Sequence, residues 1–163
     1  MKPLRSNATR PVLIAAAAAI AVAGVGGTLT DLGPWYLGLA KPAWQPPPAA
    51  FGVIWTVVFA LAAISGVTGW RRAPSRASQE WMIGLFALNG FLNILWSLLF
   101  FRLHRPDWAQ IEVGGLWLSI AVLMAFLARF SWTAALLLAP YLLWVSIATV
   151  LNFDVVRLNA PFS

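Results

Sequence analysis

Five apolar runs alternate with short polar segments along the chain, over residues 12–30, 51–70, 81–101, 111–128 and 132–153. At about 1.5 Å per residue, each is long enough to cross a hydrocarbon core of about 30 Å, with some margin in the longer runs. Lipid offers no partner to backbone N–H and C=O groups, so each run must pair its own and become a helix. The pattern predicts an all-α membrane protein, a five transmembrane helix bundle. It contains no strand alternation, long linker or convincing internal repeat. The predicted organisation is a basic N-terminal tail over residues 1–11, one transmembrane domain over 12–159 and a C-terminal tail over 160–163.

The first run has two readings. A charged start before an apolar stretch, with Ala21-Val22-Ala23 as a cleavage site, has the form of a signal peptide. Nineteen residues also suffice to span, and Ala15, Ala19, Ala23 and Gly27 repeat at four-residue spacing, which lets another helix approach closely. A retained helix is the expectation. The polar ends of the runs set the topology. Lys2, Arg5, Arg10, Arg71, Arg72, Arg76 and Arg129 fall on one side, and Lys41, Arg102, Arg105 and Arg157 on the other. The positive-inside rule places the N-terminus in the cytoplasm and the first connector outside.

That connector, between Trp35 and Trp55, is the most unusual stretch. It carries Trp35, Tyr36, Trp44 and Trp55 together with Pro42, Pro46, Pro47 and Pro48. Each proline lacks an N–H and fixes its own φ, and the residue before it is pushed towards extended geometry. A stiff, non-helical aromatic cap is expected. Indole and phenol rings favour the membrane interface, so an anchoring belt accounts for the composition; a lid over a flat apolar ligand accounts for it too.

Composition narrows the function classes. The chain is 61% hydrophobic and only 10% charged, against about 25% charged residues in a soluble domain. There is no cysteine, which excludes disulfides and thiolate chemistry. The net charge of +6 sits at segment ends and does not point to nucleic acid. No carboxylate cluster, Ser/His/Asp set or metal-ligand spacing occurs, and the spans hold almost no ionisable groups, which argues against a proton-coupled transporter or an ion channel.

A few polar residues remain inside the runs. Asn89 and Asn93 share one helix face with Trp96, and Ser97 lies at its margin. An amide facing lipid lacks partners, so this face turns inward, to tie helices together or to line a cavity. Tyr141, Trp144, Ala148 and Asn152 form a stripe on the fifth helix, where Ala148 leaves room beside Trp144, and Trp55 can complete an aromatic wall. Pro140 is expected to kink the fifth helix and free a carbonyl above the pocket. Asp154 and Arg157 are spaced to pair on one face near the boundary. His104 reads as a solvated loop histidine.

These residues resemble the TspO/MBR family, the tryptophan-rich sensory proteins and animal translocator proteins. Trp35-Tyr36, Leu39, Lys41-Pro42, Trp44 and Pro46-Pro47 match its connector, and Phe51 with Trp55-Thr56 the start of its second helix. Asn93, Leu95-Trp96-Ser97 and Phe100-Phe101 match its third. Pro140-Tyr141-Leu142, Trp144, Ala148-Thr149, Leu151-Asn152 and Arg157-Leu158-Asn159 match its fifth. Departures are Asn89 for the family's common Gln, Leu98 for its proline, and Phe153 for the tyrosine of its sterol motif, followed by Asp154.

The resemblance implies a bundle that often dimerises, so a homodimer in the lipid bilayer is expected. It implies porphyrin or related tetrapyrrole ligands, no obligatory cofactor and no metal. The ligand-binding positions it suggests, together with the connector and stripe residues, are Trp35, Tyr36, Trp44, Trp55, Asn89, Asn93, Trp96, Tyr141, Trp144 and Ala148. Lys41 is a candidate partner for a ligand carboxylate at the rim. Some bacterial members promote light- and oxygen-dependent protoporphyrin breakdown; in that case Trp55 and Trp144 are the catalytic pair. Sterol-like lipids are a weaker expectation, given Phe153 and Asp154. A sensor or carrier, a porphyrin-degrading enzyme, and a transport or interaction protein acting through a partner are the three functions in play.

Overall fold

The computed structural model describes residues 9–162. Its long helices are α1 (Thr9–Leu29), α3 (Pro48–Arg72), α4 (Arg76–Ser97), α5 (Pro106–Ala128) and α7 (Ala139–Asn159), with short helices α2 (Pro34–Gly38) and α6 (Trp132–Leu136). A π-helical turn, Leu98–Arg102, extends α4, and α6 with α7 makes one interrupted span. Among the described residues, five helical segments are therefore long and apolar enough to cross a membrane, which is the predicted fold.

The helix boundaries follow local chemistry. Proline stands in the first turn of α2, α3, α5 and α7, where a missing N–H leaves no intrahelical bond unmade. Ser75 and Ser131 cap α4 and α6 by accepting the backbone N–H of Ser78 and Ala134. Two expectations need correction here. The connector is not wholly non-helical: Gly33 and Pro34 start α2, and Asp31 Oδ1 accepts the Gly33 N–H at 2.8 Å. Pro48 begins α3 instead of ending the connector, because a helix accepts proline at its first position.

The fifth span breaks at Leu137–Leu138, as Pro140 leads one to expect, yet the freed carbonyl lies elsewhere. Leu138 donates to Ala135 O, three residues back, so the Ala134 carbonyl loses its helical donor. Ser65 Oγ on α3 supplies one at 2.7 Å, and neither group borders the cavity described below. The kink is thus tied to α3.

The core forms around α5, whose Val113, Leu116, Ile120, Leu123 and Leu127 are buried against α4, α6 and α7. By contrast, α1 has no buried residue, although it packs on α3 and α4. Two glycines set close approaches. A Cβ at Gly90 would lie 3.0 Å from Val22 Cγ2, and one at Gly69 only 2.6 Å from Leu127 Cδ2 and 3.0 Å from Met82 Sδ. Exposed apolar side chains such as Ile111 and Leu13 make up the face that hydrocarbon covers.

Gly69 is the tightest of these contacts. Gly69→Val should overpack the junction of α3, α4 and α5 and destabilise the bundle by about 1–3 kcal/mol. A thermal melt in detergent micelles should show a lower midpoint; an unchanged midpoint would refute the close approach.

Candidate functional site

A cavity of about 870 Å³ lies beneath the first connector, between α1, α3, α4 and α7, with Val113 and Leu116 of α5 at its back. Its walls are largely aromatic. The Trp55 and Trp144 rings are 6.5 Å apart and nearly perpendicular (89°), and Phe51 meets Trp144 edge-on at 5.5 Å. Trp96 stacks on Phe100 at 5.0 Å. Ala19, Ala23 and Gly27 of α1 also line the hollow. The small-residue stripe read as a helix-approach surface therefore leaves space on this side.

Polar groups are sparse and mostly tied down. Asn93 Nδ2 donates to the Tyr141 hydroxyl at 3.2 Å, and Asn152 Nδ2 donates to Gln110 Oε1 at 2.8 Å and to the Pro106 carbonyl at 3.1 Å. Three buried atoms on lining residues have no partner: Trp96 Nε1, Trp144 Nε1 and Asn152 Oδ1. No charged side chain is among the described lining residues. Such a site offers flat apolar contact, with these three unpaired atoms set behind its surface.

The connector closes one end through Leu32, Tyr36, Gln45 and Pro48. It is pinned to the end of α7. Asn159 accepts the Ala40 N–H and returns a donor to the Ala40 carbonyl, both at 2.8 Å. Trp44 Nε1 donates to Asp154 Oδ2 at 3.1 Å, and Arg157 pairs with Asp154 at 3.2 Å. Lys41 donates to the Tyr36 and Leu39 carbonyls and lies over the Tyr36 ring, 4.4 Å from its centre. Partial burial holds its ammonium below the ordinary value. Burial raises the Tyr36 phenol, an effect that its hydrogen bond with Gln45 partly offsets.

Of the ten ligand-binding candidates, Tyr36, Trp55, Asn93, Trp96, Trp144 and Ala148 line the cavity. The other four do not. Trp35 stacks on His104 at 4.1 Å; that histidine, at a left-handed φ of 53°, is exposed in its loop as expected, with one ring face on the indole. Trp44 is bound to Asp154, Asn89 Nδ2 donates to Ser119 Oγ at 2.8 Å, and Tyr141 lies behind the wall as the partner of Asn93. Lys41 is occupied within the connector and is absent from the lining. Sequence reasoning passed over Phe51, Gln45 and Phe59 as lining residues. Asn152 stood in the stripe with Trp144 and Ala148, and that spacing was the available signal.

Comparison with known proteins identifies the family. The sequence profile of the TspO/MBR family matches residues 13–158. The chain belongs to the TspO/MBR family. It is 39% identical over 147 residues to the Tryptophan-rich protein TspO of Chlorobaculum tepidum, covering 86% of this chain and 90% of that protein. It is 34% identical to Protein CrtK of Rhodobacter capsulatus, over 86% of this chain and 88% of that one. Similarity extends to the Translocator protein of Sus scrofa, at 33% identity over 77% and 75% of the two chains. The family places the five spans in an integral, multi-pass membrane protein.

The reciprocal Asn159–Ala40 pair is the clearest tether of the connector. Asn159→Ala should loosen it by about 1–2 kcal/mol. Backbone amides near Ala40 should then exchange with deuterium several-fold faster, while those of α5 stay protected. Equal exchange in both proteins would deny the tether its role.

Proposed function

We propose that the protein is a membrane receptor or carrier for porphyrins and related flat apolar ligands, bound in the cavity under the first connector. The observation that carries the reading is an indole-walled hollow with no charged lining. A tetrapyrrole needs a flat slot, apolar walls and a few placed polar groups. Trp55, Trp96 and Trp144 supply walls, and Tyr36, Gln45 and Asn93 are polar residues among the lining. An uncharged interior disfavours buried carboxylates. The propionates of a porphyrin therefore point towards the connector, where Tyr36 and Gln45 provide polar contacts.

Affinity in the micromolar range corresponds to roughly −8 kcal/mol. Titrating protoporphyrin IX into the protein while following tryptophan fluorescence should give saturable quenching. Ala148→Phe, which fills the space beside Trp144, should weaken binding at least tenfold, about 1.4 kcal/mol. Linear, unsaturable quenching of the unaltered protein counts against the reading.

The close, perpendicular Trp55–Trp144 pair favours a second reading, light-dependent porphyrin breakdown. The bound pigment supplies the photochemistry; the protein holds it and shields its intermediates from water. Trp55→Phe and Trp144→Phe separate the two functions. Pigment loss under light should fall in each variant while binding persists if the indoles take part. Pigment loss at an unchanged rate marks simple photobleaching and leaves the receptor alone.

A further inference from the structure

The seam between α4 and α5 holds an ionisable group that nothing above uses. Glu112 lies within a membrane-spanning helix, and both its carboxylate oxygens are buried without a hydrogen-bond partner. It does not line the cavity. Trp96 Nε1, on the facing helix, is also buried and unpartnered.

The register of the seam brings the two residues together. Asn89 and Ser119 touch at 2.8 Å. From there α4 runs seven residues on to Trp96, and antiparallel α5 runs seven back to Glu112. Seven residues make close to two turns, about 10.5 Å, so both residues return to the faces that made the first contact. The register holds at both ends. Met82 and Leu127 converge beside Gly69, and Phe100 packs in one cluster with Ala109.

Hydrocarbon gives neither an indole N–H nor a carboxyl group any water to bond. A side-chain rotation that joins them satisfies both. We propose that Glu112 is a positioning residue for the cavity wall: its carboxyl takes the Trp96 indole N–H across the α4–α5 seam and fixes the plane of that ring. Trp96 then presents its flat face to the hollow. The pair stands by itself; its consequence for ligand affinity rests on the porphyrin-binding reading.

The test uses the full chain in lipid nanodiscs, labelled with ¹⁵N at the indoles and ¹³C at the glutamate carboxyls. The only glutamates are Glu80 and Glu112, so the carboxyl spectrum has two signals to assign. Glu112→Leu should move the Trp96 Nε1–H resonance upfield, and Glu112→Gln, which keeps an acceptor, should restore most of the shift. The Trp81 and Trp132 indoles should stay in place and report an intact fold. Reciprocally, Trp96→Phe should move the Glu112 carboxyl signal and leave that of Glu80. This arm decides the pair even if Glu112→Leu does not fold. Protoporphyrin IX affinity should drop about tenfold in Glu112→Leu and recover in Glu112→Gln. If either reciprocal shift is missing, there is no pair. If both occur and affinity is unchanged, Glu112 does not position the wall. Should the unaltered protein bind no protoporphyrin, the receptor reading falls while the shifts still decide the pair.

Discussion

Hydrocarbon supplies no hydrogen bonds, and this constraint decides where nearly every polar side chain in the bundle sits. Asn89 with Ser119, Asn93 with Tyr141, Asn152 with Gln110, and Trp117 with Ser146 each join two different helices. Each bond favours one rotation and level of the pair it joins, because a slip would strip a polar group of a partner in lipid. The aromatic walls inherit their position from these seams. Among the described residues, the buried side-chain atoms without partners belong to Trp96, Glu112, Trp144 and Asn152. Three of these four residues line the cavity, and Glu112 is level with one of them. Unmet hydrogen-bonding capacity is therefore concentrated in the residues of the cavity wall, behind the surface a guest would touch.

Space in the interior is a matter of unequal helices. α5 carries large aliphatic side chains on its inner face, and the core condenses on it. α1 offers alanine and glycine, buries nothing fully, and lines the hollow with these small residues while it packs on α3 and α4. A hollow persists because the small side chains on one wall cannot fill it. The connector over it is held differently. Its tethers at Asn159 and Asp154 lie in exposed surroundings, where water competes for every hydrogen bond. Such bonds stabilise weakly. A rigid hollow under a lightly fastened cover can admit a ligand without unpacking the bundle.

How much the sequence disclosed differs from residue to residue. Trp55, Trp144 and Ala148 announced a wall through helical spacing and family motif together, and they share one cavity. Trp44 carried the same motif strength, yet its indole is spent on Asp154. A connector tryptophan can face the ligand or the neighbouring helix end, and spacing does not distinguish the two. Asn89 and Asn93 occupy one face four residues apart; α5 takes the first as a fastening through Ser119, and the cavity borders the second. Glu112 stood alone in an apolar run and drew no attention, because its meaning depends on what α4 brings to its level.

The sequence by itself determined the five spans and their helical state, but not their ends, which lie up to six residues beyond the apolar runs. Span and helical state follow from local facts: apolar length and the obligation of a backbone to pair with itself in lipid. Only the tertiary structure decided which inward residues touch one another and which face open space. That depends on the rotation and level of each helix against its neighbours, a relation between distant parts of the chain that no single segment encodes.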